Sequence, residues 1–291
     1  MNPPACSYLV CATPRSGSTL LCHALASTGV AGRPEEYFEA LRHSGLPRQP
    51  KEFFLGGEDR SILDHLGEHA AVDPQERHPL WSADDYRPYL EWALDRGTTP
   101  NGVFAAKLMA NYLGDFVGLL RTLPDYRSLD LADLFPAVFG PGVRFVRIVR
   151  ANKLRQAISL WKALQTAAWR QDDSPEEEID GHASRPQLEF HVGAIDHLIG
   201  QIAADEARWD AFFEVCGVRP ITIAYERFVN RYEITTKLLL NDLGIGMPQG
   251  LRVEQEMKRQ TDDLNRTWAR RFGELTIGAD PDLAPSVPAP A

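Results

Sequence analysis

An α/β fold, a three-layer sandwich with a central, mainly parallel sheet flanked by helices, follows from three observations. Short apolar runs bounded by turn residues alternate with longer stretches of helical periodicity, the order that builds βαβ units. The chain holds enough apolar mass for a full core: 291 residues, 44% hydrophobic and 24% charged, which sets aside disordered, collagen-like and disulfide-scaffold classes. No apolar run approaches the roughly 18 residues of a membrane span, and Met1–Ala12 lacks the basic start of a secretory leader.

Taken in order, Tyr8–Ala12, Val103–Met109, Val143–Val149 and Pro220–Ala224 are rich in β-branched residues or bounded by turn chemistry, and read as buried strands at the centre of the sheet. Helical periodicity is clearest in Thr19–Ser27, Asp84–Asp95, Asn152–Trp169, Leu188–Phe213, Arg227–Leu243 and Glu254–Phe272. His43–Pro50, with two prolines and a glycine, and the acidic Gln171–Pro186 read as exposed loops. The arrangement is one domain over 1–277, with an insertion loop at about 171–186. Four prolines in the fourteen residues of Gly278–Ala291 predict a disordered tail.

Lys and Arg number 31 against 40 Asp and Glu, a formal charge of −9. A surface for nucleic acid or anionic membrane needs the opposite balance, so an anionic ligand must meet a local arginine cluster. The four cysteines, Cys6, Cys11, Cys22 and Cys216, form no C-x-x-C pair and have no histidine at metal spacing. They fit reduced thiols in a cytoplasmic enzyme and imply no metal.

The segment Tyr8-Leu-Val-Cys-Ala-Thr-Pro-Arg-Ser-Gly-Ser-Thr19 runs from a strand through a tight turn into a helix. Successive backbone N–H groups of Ser16, Gly17, Ser18 and Thr19 then converge at a helix N-terminus, which binds a phosphate-sized anion with little side-chain charge. This makes the sandwich P-loop-like. Against G-x-x-x-x-G-K-[ST], however, the loop aligns as Ala12-x-x-x-x-Gly17-Ser18-Thr19, without the lysine that reaches β- and γ-phosphates. Arg15 supplies the cation instead. A phosphatase loop needs Cys-x5-Arg, and Cys11 stands too close to Arg15 for that. A P-loop kinase is disfavoured by the missing lysine; a non-catalytic nucleotide-binding protein stays open.

The loop resembles the 5′-phosphosulfate loop of sulfotransferases, which use 3′-phosphoadenosine 5′-phosphosulfate (PAPS). Arg150 and Ser159, at a strand end and in the following helix, match the family pair that binds the 3′-phosphate. Within that superfamily the chain is similar to the mycobacterial trehalose 2-sulfotransferase family through Thr28–Phe38, Thr99–Met109, Gln156–Thr166 and Tyr225-Glu-Arg. The resemblance implies sulfuryl transfer to a carbohydrate hydroxyl by a homodimer. Many sulfotransferases end a strand in Lys-x-His; here Lys107-Leu108-Met109 offers a thioether, which cannot accept a proton. The family implies Glu36 as the base, Glu35 being adjacent on another face, and Lys107 as the contact to the sulfuryl group. It also implies Tyr37, Phe38 and Asn111 beside the acceptor.

The remaining candidates are Arg259 and Arg266, whose segment resembles a loop closing over the nucleotide and reads equally as a solvated helix. Trp161 and Trp169 fit either a core or a sugar platform. His191 and His197, six residues apart, face different ways and suit a core or interface. Arg33, Ala110 and Tyr112 depart from the trehalose enzymes' pattern, so a different sugar, a glycolipid or a glycosylated natural product fits the same chemistry.

Overall fold

The computed structural model describes residues 4, 6–39, 45, 48–55, 60–66, 78–166, 188–253 and 263–277. Within them, four strands form one sheet in the order β2-β1-β3-β4: β1 (Cys6–Ala12), β2 (Val103–Met109), β3 (Arg144–Val149) and β4 (Ile221–Ala224). Every pairing is parallel. β1 and β2 are buried almost throughout, which is why they read as unbroken apolar runs. All four strands coincide with predicted ones to within two residues. Because β1 has β2 on one side and β3 on the other, the chain changes winding direction beside β1. At such a switch point the loops after the strands part and leave a crevice.

Helices α1 (Ser18–Ala26), α2 (Arg87–Gly97), α3 (Leu113–Leu120), α4 (Leu131–Phe139), α5 (Lys153–Thr166), α6 (Val192–Val215), α7 (Tyr225–Asn230), α8 (Tyr232–Asp242) and α9 (Asp263–Ile277) complete the described elements. The sequence patterning missed α3, which contains Gly114 and Gly118, and α4, which contains Pro136. Those residues are poor interior helix formers, and burial of Phe116, Phe135 and Phe139 overrides them. The single helix expected over Arg227–Leu243 is two, broken at Arg231 (φ −137°, ψ 46°). Helix α6 begins at Val192, four residues later than expected, with the His191 ring accepting the Ala194 N–H. Of the expected Glu254–Phe272 helix, 254–262 lie outside the described residues, as do Trp169, the 171–186 loop and the 278–291 tail.

Two apolar clusters hold these elements together. One surrounds the sheet and is dominated by aromatic rings: Phe38 stacks on Phe116 at 4.4 Å and Phe104 on Phe139 at 5.5 Å. The other lies between α5, α6 and α9 and includes Phe53, Phe54, Trp161, Leu198 and Trp268. The four cysteines are unbridged. Among the described residues no helix is long and apolar enough to cross a membrane.

Asp205, on the buried side of α6, is the costly residue in this packing. Burial pushes its carboxyl up to about 6, against the pull of Arg208 and Arg48. A free Asp titrates near 3.9, so the folded chain holds a proton that the unfolded chain has released, and folding loses stability as pH rises between those values. Asp205→Asn should therefore gain on the wild type by about 2–3 kcal/mol between pH 4 and pH 7. Urea unfolding at both pH values checks this; a difference independent of pH would show that the carboxylate is not strained.

Candidate active site

The C-terminal ends of β1, β2, β3 and β4 carry the polar groups in question. After Ala12 the chain turns through Thr13-Pro14-Arg15-Ser16-Gly17, with Arg15 at φ 60° and Gly17 at φ 95°, both left-handed. Left-handed residues on either side of Ser16 turn neighbouring N–H groups to one side, the geometry of an anion nest. Helix α1 starts at the next residue with no side-chain cap and no acidic residue in its first turn, so its positive end faces the same concavity. The Ser16 hydroxyl is buried and lacks a hydrogen-bond partner.

The turn is clamped from below. Gln156, on α5 and fully buried, donates its side-chain amide to Thr13 Oγ1 (2.9 Å) and to the Pro14 carbonyl (2.8 Å). Trp209 of α6 donates its indole N–H to the Ala12 carbonyl at 2.9 Å. Arg15 Nε donates to Ser159 Oγ at 3.0 Å, and Arg150 Nη1 donates to the Arg15 carbonyl at 3.2 Å. Arg150 and Ser159 thus meet the loop through Arg15. The Arg150 guanidinium lies 4.8 Å over the ring of Tyr225, and the same ring closes on Gly17, where an added Cβ would come within 2.2 Å. Glu226 accepts the N–H groups of Ala151 (3.1 Å) and Asn152 (3.3 Å) and thereby fixes the entry to α5.

Burial, aided by the neighbouring Arg150 charge, pushes the Arg15 guanidinium down to about 10; Arg150 is lowered too, chiefly by burial. A bound dianion would relieve both effects. Converging amides, an orphaned hydroxyl and two desolvated guanidiniums fit a phosphate-bearing ligand. Among these, Tyr225 and Gln156 carried no site prediction. Gln156 was legible: it falls on the apolar stripe of α5 with Leu160 and Leu164, where a polar residue needs a partner. Nothing in the sequence marks the Tyr225 ring as the lid of the turn.

The second group of residues sits on the free edge of β2. The Lys107 N–H donates to the Glu35 carbonyl at 2.9 Å, and Glu35 forms a parallel bridge with Ala106. Gly32, at φ 70°, lets this segment approach, since a Cβ there would meet Ala105 Cβ at 2.7 Å. Alternation then separates the neighbours: Glu35 is exposed, while Glu36 turns inward. Glu36 Oε2 pairs with Lys107 Nζ at 2.5 Å, and Tyr112 donates its hydroxyl to Glu36 Oε1 at 3.0 Å. Burial opposes the Lys107 charge, but Glu36 together with Cys22 and Glu39 outweighs it and raises the ammonium above its usual value.

Of the other predicted residues, Asn111 has a buried side-chain oxygen without a partner and lies next to Tyr112. Phe38 and Trp161 are fully buried, Phe38 in the cluster around the sheet and Trp161 in the one between α5, α6 and α9. Tyr37 is also buried, its hydroxyl on the Arg33 carbonyl at 2.8 Å. Arg266 is exposed on α9 and pairs with Asp263; no hydrogen bond or ion pair among the described residues brings it to the loop. Arg259 lies outside the described residues. His191 caps α6, and His197 bonds the Phe53 carbonyl at 3.0 Å.

A family model described as Stf0 sulphotransferase matches residues 7–274. The trehalose 2-sulfotransferase of Mycolicibacterium smegmatis is 34% identical over 274 residues, covering 94% of this chain and 96% of that one. The trehalose 2-sulfotransferase of Mycobacterium tuberculosis is 33% identical over 265 residues, covering 91% and 93%. A crystal structure of a sulfotransferase from Alicyclobacillus acidocaldarius aligns over 96% of this chain and 94% of that one, with a TM-score of 0.44 and 14% identity. A likeness at that score and identity is too weak to bear on the chemistry.

The loop geometry makes a prediction of its own. Gly17→Ala should destabilise the chain by more than about 2 kcal/mol, from left-handed strain of about 1–2 kcal/mol and the collision with Tyr225. In a double-mutant cycle, adding Tyr225→Ala should recover the collision part. Strict additivity in chemical denaturation would mean that the ring does not press on this glycine.

Proposed function

The chain belongs to the Stf0 sulphotransferase family and is a sulfotransferase; from that premise we propose that it transfers the sulfuryl group of PAPS to a carbohydrate hydroxyl, with a trehalose-like sugar as acceptor and Glu36 as general base. The observation that carries this reading is the register of β2 against β1. The Glu36 carboxylate and the Lys107 ammonium meet at the end of β2, and the register of β1 with β2 sets Met109 opposite Ala12, where the anion loop begins. This register supports a reading in which a proton acceptor, a cation and a phosphate cradle serve one reaction at the C-terminal end of the sheet.

The donor, when bound, supplies an activated sulfuryl group on a 5′-phosphate leaving group. The residues that would hold it are Arg15 and the amides of Ser16, Gly17, Ser18 and Thr19 for the 5′-phosphate, with Arg150 and Ser159 for the 3′-phosphate. Transfer of this kind resembles loose, in-line phosphoryl transfer, so the enzyme's work is positioning and charge stabilisation. Arg15 and the α1 amides neutralise charge growing on the leaving oxygen. Lys107 offsets charge on the equatorial oxygens, and Glu36 takes the acceptor proton as the new bond forms. The reading needs no metal ion, because the Arg15 guanidinium, the Lys107 ammonium and a helix end supply positive charge of the kind a Walker lysine and magnesium would otherwise provide.

Two experiments test this reading. Adenosine 3′,5′-bisphosphate should bind more tightly than adenosine 5′-phosphate, equally with magnesium or EDTA, and Arg150→Ala should remove most of the preference. Equal binding of the two nucleotides by the wild type in calorimetry would overturn the 3′-phosphate assignment. With PAPS and trehalose, Glu36→Gln should lower kcat by about 10²–10⁴-fold, the usual worth of a positioned base, and leave bisphosphate affinity within about twofold. Glu35→Gln should behave as wild type. Wild-type turnover in Glu36→Gln would remove the base assignment; a wild type that sulfates other sugars but not trehalose would remove only the acceptor.

A further inference from the structure

Glu36 is held by two donors of different chemistry. Lys107 Nζ is 2.5 Å from Oε2, and the Tyr112 hydroxyl is 3.0 Å from Oε1, so each carboxylate oxygen has one fixed partner. Two donors on different oxygens stop rotation of the carboxylate plane and leave one lone pair on each oxygen for an incoming proton. Tyr112 is itself fixed: it is buried, ends a 3-10 turn at Ala110–Tyr112, and precedes the first residue of α3. Its hydroxyl is therefore delivered by the backbone that follows Lys107 on β2.

The two donors differ once a proton arrives. An ammonium only donates, whereas a phenol hydroxyl both donates and accepts and turns about its C–O bond. Lys107 matches the carboxylate form alone; Tyr112 matches the carboxylate by donating and the acid by accepting. We propose that Tyr112 is a positioning residue for sulfuryl transfer, aiming the Glu36 carboxylate at the acceptor hydroxyl and keeping a hydrogen bond to it in both protonation states. In the step, the sulfur–oxygen bond to the donor's 5′-phosphate breaks as the acceptor oxygen–sulfur bond forms, adenosine 3′,5′-bisphosphate departing as the leaving group; the acceptor O–H bond breaks, its proton passes to Glu36, and that proton leaves to solvent afterwards. Tyr112 neither gains nor loses a proton. Burial, followed by the nearby Glu36 charge, raises its own ionisation well above the usual phenol range, which suits a hydroxyl that stays neutral. The charged and titratable groups acting on this cluster are Lys107 from β2, Glu39 from the segment of Glu36 and Cys22 from α1.

This inference rests on Glu36 being the base, and its test separates the two. Carbon-13 NMR of the ligand-free protein with labelled glutamate side-chain carboxyls, the Glu36 signal identified by its loss in Glu36→Gln, reads the hydrogen bond without turnover. In Tyr112→Phe the Glu36 carboxyl signal at fixed pH should shift, since a donor to one of its oxygens has gone. Placing 3-fluorotyrosine in place of Tyr112, a stronger donor of nearly the same shape, should move the signal the opposite way. With PAPS and trehalose, Tyr112→Phe should lower kcat by about tenfold or more, the worth of a hydrogen bond to a charged group, with KM for PAPS unchanged. It should add nothing in the Glu36→Gln background. Unmoved Glu36 signals in both variants would overturn the role of Tyr112 whatever the activity; so would a wild-type kcat in Tyr112→Phe when Glu36→Gln is impaired. Full turnover in Glu36→Gln would instead remove the base itself.

Discussion

One main-chain hydrogen bond, from the Lys107 N–H to the Glu35 carbonyl, decides where the chemistry sits. It sets the phase of an irregular segment against a strand whose own residues are fixed by pairing to β1. A shift of one residue would turn Glu35 inward and Glu36 to solvent, because alternate residues of an extended segment face opposite ways. Gly32 permits the approach, and the fully buried Phe38 holds the segment's far end in the aromatic core. The ion pair of Glu36 with Lys107 depends on that phase, and so does the hydroxyl contact of Tyr112, which the chain reaches a few residues after Lys107.

The anion loop is held differently, by side chains reaching from neighbouring elements. Gln156 and Trp209 satisfy carbonyls that a tight turn would leave buried and unpaired. Ser159 fixes the Arg15 guanidinium, and Arg150 satisfies its carbonyl. Tyr225 fills the space above Gly17 and supports Arg150. Strain in the left-handed Arg15 is thus carried by contacts from β3, α5 and α7, and is the kind of cost that persists where surrounding structure over-determines it.

How much of this was legible in the sequence depends on the range of the interaction. The strands were plain because a parallel, doubly covered sheet needs unbroken apolar runs, and the loop was plain because Pro14, Arg15, Ser16 and Gly17 are contiguous. Glu36 came from a family likeness; the residue pattern alone said only that Met109 cannot be a base. The short helices over Leu113–Leu120 and Leu131–Phe139 were obscured by glycine and proline, whose local preference loses to tertiary burial. Tyr225 was invisible for another reason. Its part is to cover a glycine more than two hundred positions earlier, and no local pattern encodes such a contact. Phe38 and Trp161 show the converse: an aromatic beside a functional motif serves packing when its face of the segment points to the core.

The strand order has one further consequence. Everything that cradles the anion hangs from β1, β3, β4 and the helices after them, whereas Glu36, Lys107, Asn111 and Tyr112 hang from β2 and its free edge. The two halves meet across β1. On the proposed assignment, substitutions along the β2 edge can therefore remodel the acceptor side of the crevice while the opposite wall stays intact, so a lineage built on this sheet can change what it modifies without relearning how it holds the group it gives away.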